Sequence, residues 1–324
     1  MKVLIVKKKS GLDLFGDRVE EQVALGVFPA SDLAKLRTAH EEHQQTLCSL
    51  YDELSKAKID YQEVSKETIW PFTESSKQAL MQGPIHMERA NREFAMLPEW
   101  ATPANREHFA AILCVGGDGT ILSAGQHIKD SIPLVGIKSS STSVGFLCAY
   151  NKQNLPSCID RLRNDRLKCT QVERLSAEVT FVRDVATYTT PPVLNDFLFT
   201  NLNPAAVTQY RLVIGHLSEE QRSSGIWMAT PAGSTAAIAA AGGKRCTLDS
   251  KTFQYTVRER YVTSQETSTF NAGFFNPEKE RFEIEIRCKS AILALDGQHG
   301  YVRLSYGDRI VLKRSSPVQL ATKV

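Results

Sequence analysis

The chain has 324 residues, 42% of them hydrophobic and 23% charged, with a formal net charge of +3. That length suits two domains better than one small core, and the composition is that of an ordinary globular enzyme. The charge is too small to argue for a nucleic-acid partner, although it is compatible with an anionic small substrate.

No run approaches the roughly 18 apolar residues of a membrane span, so no membrane partner is expected. Cysteines 48, 114, 148, 158, 169, 246 and 288 are scattered without a CxxC pair. Such a set reads as reduced thiols in a cytoplasmic protein. No metal site is visible.

The opening MKVLIVKKKS carries a short apolar run, Val3 to Val6, which predicts a first strand and not a signal peptide. Ser31 is the expected cap of a long helix with Leu33, Leu36, Leu47, Leu50 and Leu54 on one stripe. His40 and His43 fall on or near that stripe. With no third ligand in view, they read as a partly buried or partner-facing surface ahead of a metal pair. Ile59 to Val64 predicts a second strand. The stretch from Trp70 to Arg106 is polar, broken by four prolines, and reads as one or two helices with loops. Further strands are expected at Ala111–Val115 and Leu134–Ile137, and a helix from Asn154 with Leu155, Ile159 and Leu162 inward. After Leu167 the apolar period becomes two. Ala177, Val179 and Phe181 alternate with polar residues, as do Leu212 and Ile214, and Phe282, Ile284, Ile286 and Cys288. Helices first and strands later predict two domains, divided within residues 152–167.

The stretch AILCVGGDGTILSAGQHI, residues 111–128, constrains function most. A strand runs into the turn Gly116-Gly117-Asp118-Gly119, and a helix is expected to open at Thr120. Such turns present main-chain N–H groups to phosphate, and their glycines permit close approach or positive φ. A carboxylate there is unusual. Asp118 either accepts a proton from an attacking hydroxyl, helps hold Mg²⁺, or simply caps the helix. A second stretch, Ser223 to Gly243, puts a turn at Thr230-Pro231-Ala232-Gly233 before an Ala-rich helix capped by Ser234. It suits a flat ligand or close backbone packing. A third, VLNDFLFTN at 193–201, places Asn195 and Asp196 in an apolar strand. There they bind a nucleoside or satisfy one another structurally. Asp296-Gly297-Gln298 by itself is an ordinary turn.

Taken in order, GGDGT at 116–120, LND at 194–196, TPAGSTAAIAAAGG at 230–243 and DGQ at 296–298 resemble the NAD kinase family. RSSG at 222–225 and NPAAV at 203–207 are most similar to its plant NADH kinase type. The resemblance spans about residues 110–315. It implies an α/β Rossmann-like N-terminal domain and a β-sandwich C-terminal domain, a NAD kinase / diacylglycerol kinase-like fold. The expected division is 1–152, joined by the tail 312–324, and 153–311. The implied reaction moves the γ-phosphoryl group of ATP, with Mg²⁺, to the adenosine ribose 2′-hydroxyl of NAD(H).

By the same resemblance, Asp118 activates that hydroxyl, and Gly116, Gly117, Gly119 and Thr120 surround phosphate. Phe146 lies against the adenine half, Asn195 and Asp196 bind ribose and base, and Thr235 and Ala236 line the adenine pocket. Thr230, Gly233, Ser234 and Asp296 complete the nucleotide-binding set. A homodimer or homotetramer is implied. This chain departs from the family at Ser224, where many members have Asp, at Ala237, where they have Tyr, and at Lys138, where Asn is usual. A lipid or sphingoid-base kinase is the first rival, but SSSTSVGF does not fit its loop. A non-catalytic dinucleotide sensor is the second, and it would have no need of Asp118.

Overall fold

The computed structural model describes residues 1–66, 108–128, 131–183, 185–261, 270–297 and 300–323. The stretch expected to hold helices between Trp70 and Arg106 therefore lies outside the described residues, as does Gln298. The chain divides into two units, the first ending at Thr170 and taking back Val318–Val324, the second spanning Gln171–Pro317 among the described residues.

The first unit opens with β1 (Lys2–Lys7), α1 (Gly11–Ala24), α2 (Ala30–Ala57) and β2 (Asp60–Ser65). It continues with β3 (Ile112–Gly116), α3 (Asp118–Gly125), β4 (Pro133–Lys138), the two-residue β5 (Tyr150–Asn151) and α4 (Leu155–Arg163). β1 pairs in parallel with β2 and with β3, and β3 with β4. Gln319 and Leu320 add a parallel edge beside Pro133 and Leu134. Parallel strands need cover on both faces, and the sequence shows it as unbroken apolar runs. Val3, Ile5, Leu113, Val115, Val135 and Ile137 pack against Leu47, Leu50 and Leu54 of α2 and Leu155, Ile159 and Leu162 of α4. α3 covers the other face, where the space beside Gly136 is filled by Ile121.

Several local expectations are corrected here. Ser31 does not cap α2; the helix starts at Ala30 behind Pro29 with no side-chain cap. α1 had no counterpart in the pattern reading. It is fixed by a capping box, Ser10 accepting from the Asp13 N–H while Asp13 accepts from the Ser10 N–H. α4 shares one core with α2, so the division falls after Thr170 and not at 152/153, and the returning tail begins at Val318 and not at 312.

The second unit carries β6 (Cys169–Phe181), β7 (Ala186–Thr189), β8 (Asp196–Asn201), β9 (Thr208–Ile214), β10 (Leu217–Ser223) and β11 (Gly225–Ala229). A 3₁₀ turn at Ala232–Thr235 and the four-residue α5 (Ala237–Ala240) follow. Then come β12 (Phe253–Arg258), β13 (Ala272–Phe275), β14 (Phe282–Ile286), β15 (Ala291–Leu295), β16 (Tyr301–Leu304) and β17 (Arg309–Ala321). One antiparallel sheet runs β13-β12-β11-β8-β15-β16 and another β10-β9-β14-β17. Aromatic contacts join them: Phe199 meets Tyr210 edge-on at 5.4 Å, and Phe282 lies 4.4 Å from Phe275 and 5.3 Å from Tyr255 between ring centroids. This is the expected β-sandwich.

Candidate functional site

The carboxyl ends of β1, β3 and β4 lie side by side, the position where open parallel sheets bind ligands. They bring Lys7 and Lys8, the Gly116–Thr120 turn and Lys138–Ser143 to one edge, with Gly116 opposite Lys138 in register. The glycines of the turn are required by close approach and not by positive φ. A Cβ on Gly116 would lie 2.2 Å from Thr120 Oγ1 and 3.3 Å from the Lys8 stem, and one on Gly117 would lie 3.1 Å from Ser143. A Cβ on Gly119 would come within 3.4 Å of Lys66 Nζ. Lys8 itself donates to Ser143 Oγ at 3.4 Å. Three lysines thus surround the turn, and Lys8 and Lys66 carried no readable signal in the sequence.

The helix after the turn opens at Asp118, two residues before the expected Thr120, and its N-cap is Gly117. Asp118 is therefore not a helix cap. Its carboxylate reaches across the turn and accepts the N–H of Phe146 at Oδ2 and of Leu147 at Oδ1, both at 2.8 Å. The Phe146 ring is 57% exposed, available to a ligand.

Helix α2 supports the same edge. His43 is buried and its Nδ1 lies 2.8 Å from Ser139 Oγ. Ser139 N donates to Gly116 O at 3.0 Å. Burial, then the charge of Lys8, hold the His43 imidazole below its usual pKa. His40 Nδ1 lies 2.8 Å from Ser10 Oγ. Both histidines are satisfied by hydrogen bonds, and among the described residues no group of three or more His, Cys, Asp or Glu is placed to hold a metal.

The second unit assembles the other motifs. Asn195 directly precedes β8, and Asp196 opens it. The buried Asp296 carboxylate accepts N–H groups from Leu194 at 3.1 Å, Asn195 at 2.8 Å and Asp196 at 3.2 Å, and its own N–H donates to Asp196 O at 3.0 Å. Thr230 Oγ1 donates to Leu194 O and accepts the Gly233 N–H at 3.1 Å. Thr230 N donates to Asn195 O at 2.8 Å. So LND, TPAG and the DGQ aspartate form one cluster, brought together across about a hundred residues of chain.

Ser234 does not cap a long helix. It sits in the 3₁₀ turn, its Oγ accepts the Cys246 N–H at 2.9 Å, and the helix that follows is only Ala237–Ala240. Thr235 and Ala236 are half-buried at the junction. Arg174, which the sequence reading passed over, is buried in this unit, donates to Ser316 O at 2.7 Å, and lies within the field of Asp296. Burial pulls its guanidinium down to about 10 against that field.

Asp196 is 3% exposed, and burial, then the Asp296 charge, push its carboxyl up to about 8. At neutral pH it is a neutral acid, able to donate as well as accept. Between roughly pH 4 and 8 the folded chain keeps a proton that the unfolded chain has released. Stability from this group therefore falls as pH rises through that window, by up to about 1.4 kcal/mol per pH unit, and levels off above it. Asp196→Asn removes the titration. Urea denaturation at pH 5, 6.5 and 8 should give a shallower loss in the variant than in the wild type, and parallel profiles would contradict a protonated Asp196.

Residues 27–167 match the family model described as the ATP-NAD kinase N-terminal domain. A probable NADH kinase of Oryza sativa subsp. japonica is 28% identical over 229 residues, 64% of this chain and 69% of that protein. Of two methanogen relatives named bifunctional NADP phosphatase/NAD kinases, the match spans only 36% and 34% of their length. An NAD kinase from Archaeoglobus fulgidus, solved with ATP, shares the fold with a TM-score of 0.60 at 19% identity, covering 100% of this chain and 94% of that one. Yeast NADH kinase, solved with NADH, does so with a TM-score of 0.62 at 17% identity, covering 100% of this chain and 84% of that one. The matched domain contains the glycine turn, and the chain shares its fold with the two kinase structures: residues 27–167 are similar to the ATP-NAD kinase N-terminal domain.

Proposed function

We propose that the protein transfers the γ-phosphoryl group of ATP to the adenosine ribose 2′-hydroxyl of NAD or NADH. The observation that supports this most is a carboxylate pinned by two main-chain N–H groups inside a glycine turn flanked by Lys8, Lys66 and Lys138. Each Asp118 oxygen keeps a further acceptor direction, so the side chain takes the hydroxyl proton while the ribose oxygen attacks the γ-phosphorus. The bond from that phosphorus to the bridging oxygen breaks, and ADP leaves. The lysines and the turn of Gly116, Gly117, Gly119 and Thr120 offset phosphate charge; the Thr120 N–H itself is spent on Gly117 O at 3.0 Å, so Thr120 contributes through its hydroxyl. Mg²⁺ enters with ATP as part of the substrate.

In the second unit, Asn195, Asp196, Thr235 and Ala236 hold the ribose and base. Thr230, Gly233, Ser234 and Asp296 fix that cluster, and Phe146 is the residue that the resemblance sets against the adenine half. A cytoplasmic setting and a homodimer or homotetramer complete the reading.

The test is a purified-protein assay with NAD and NADH crossed against ATP and polyphosphate. No phosphorylation of either dinucleotide would sink the proposal. The same assay reads cofactor choice. Oxidised nicotinamide is cationic and the reduced ring is not, so Ser at 224 in place of a common Asp removes an anion that would favour NAD. NADH is expected to be used at least as well as NAD. The backbone at Ser224 is fixed, its N–H on Arg258 O at 3.0 Å and its carbonyl on Thr200 Oγ1 at 2.9 Å, so Ser224→Asp changes the side chain alone. It should move kcat/KM toward NAD by roughly tenfold, well within the ~4 kcal/mol limit of a close charge pair. An unchanged ratio would show that position 224 does not sense the nicotinamide.

A further inference from the structure

A cavity of about 540 Å³ in the first unit lies against the loop that follows β4 and the start of α4. Its charged lining is cationic. Lys138, Arg161 and Lys323 line it, and no Asp or Glu does. None of the three cations has a carboxylate within ion-pair distance among the described residues; the charge of Glu42 acts on Lys138 from a neighbouring cavity.

The neutral groups point the same way chemically. Asn151 spends its Oδ1 on the N–H groups of Gln153 and Asn154 at 3.0 and 3.3 Å, and Asn154 spends its Oδ1 on the Asn151 N–H at 2.7 Å. What both carboxamides have left are their Nδ2 donors. Ser157 Oγ accepts from Arg161 Nε at 3.3 Å, leaving its own proton to give. Gly145 leaves room for the Lys138 stem: a Cβ there would lie 2.9 Å from the Lys138 Cδ. Lys138 and Lys323 both act on Cys148, on the cavity wall, where the charge of Asp118 also reaches.

A pocket whose described lining offers three cations and several donors but no carboxylate is complementary to a multiply charged anion with many acceptor oxygens. We propose that this cavity binds a phosphate chain. The chain belongs either to the nucleoside triphosphate donor or to a separate phosphorylated effector. Where the phosphate chain is the donor's, the inference rests on the kinase reading and locates its triphosphate; where it is an effector's, the inference goes beyond that reading, and the binding itself does not depend on turnover.

The test is calorimetric titration of the full chain with inorganic tripolyphosphate, comparing wild type, Arg161→Gln, Lys323→Gln and the double variant. Lys313→Gln, on the second unit, controls for net charge, and thermal melts confirm folding. Each single variant should bind about tenfold more weakly, the usual size of a lost charged hydrogen bond, and the double variant more weakly still. Unchanged affinity in both single variants, or an equal loss in Lys313→Gln, overturns the proposal. The source is read from kinetics. A raised KM for ATP in the variants assigns the phosphate chain to the donor. An unchanged KM with tripolyphosphate acting noncompetitively assigns it to an effector. Binding through Arg161 and Lys323 in a protein that phosphorylates nothing would keep this site and defeat the kinase proposal alone.

Discussion

Asp118→Asn should lower kcat by about 10²–10⁴-fold, the usual contribution of a positioned general base. It should leave the affinity for NAD(H) within a few-fold of wild type. The substitution is not silent structurally, because both carboxylate oxygens accept main-chain N–H groups, from Phe146 and Leu147. The Asn amide has one acceptor oxygen; its Nδ2 would face one of those N–H groups, donor against donor. A loss of about 1–3 kcal/mol of stability is expected from that alone. The two effects separate experimentally. Chemical denaturation reads the loop's anchor, single-turnover kinetics read the chemistry, and dinucleotide titration reads the site. Near wild-type turnover would defeat the catalytic role. A fall in kcat that tracks a loss of dinucleotide binding would reduce Asp118 to a brace for the 145–147 loop.

What the sequence disclosed about this edge was local. A strand, a glycine turn and a helix are contiguous, so their chemistry can be read in one window, and the apolar runs of β1, β3 and β4 show their burial on both faces. What was hidden is what arrives from elsewhere in the chain. Lys66 stands beside Gly119 because β2 pairs in parallel with β1, and no spacing rule connects residues 66 and 119. α1 was obscured by its exposed Leu14 and Phe15, which break an apolar stripe, though the Ser10–Asp13 box before it was a usable start signal. The Ala-rich run after Ser234 looked like a helix on propensity. The chain turns there instead because Gly233 packs onto the Asn195 carbonyl, where a Cβ would sit 2.0 Å away. Tertiary contact overrides propensity at that point. The placement of the domain division had the same origin: α4 looks like a linker by position and joins the first core by its buried face.

Asp296 shows how far a residue's role can lie from its local pattern, and its removal carries the largest stability effect expected here. In its turn it reads as a loop residue, with φ at +45°, which Asp tolerates better than most side chains. In the fold its carboxylate is the shared acceptor for three successive N–H groups, those of Leu194, Asn195 and Asp196. Asp296→Ala leaves the three donors without that acceptor, two of them on buried residues and one on the half-buried Asn195. At about 1–3 kcal/mol for each unsatisfied buried group, the loss should be several kcal/mol, against a total of roughly 5–15 kcal/mol for a typical protein. It also removes the charge that balances the buried Arg174. One term opposes this: the Asp196 carboxyl, raised by burial and secondarily by Asp296, would ionise more easily. That relief is the smaller cause and does not restore a hydrogen bond.

Asp296→Asn provides the internal check. Oδ1 accepts from both Asn195 and Asp196, and Oδ2 from Leu194. A carboxamide with its oxygen on the Oδ1 side keeps two of the three bonds and sets an Nδ2 donor against the Leu194 N–H. Its stability should fall between wild type and Asp296→Ala. Dinucleotide binding should follow the same order, because Asn195 and Asp196 are aimed by the bonds being removed. Guanidinium melts of the three proteins decide the ranking. Equal stability of wild type and Asp296→Ala would mean that water or a rearranged turn supplies the missing acceptor, and that the aspartate does not organise the Asn195–Asp196 strand.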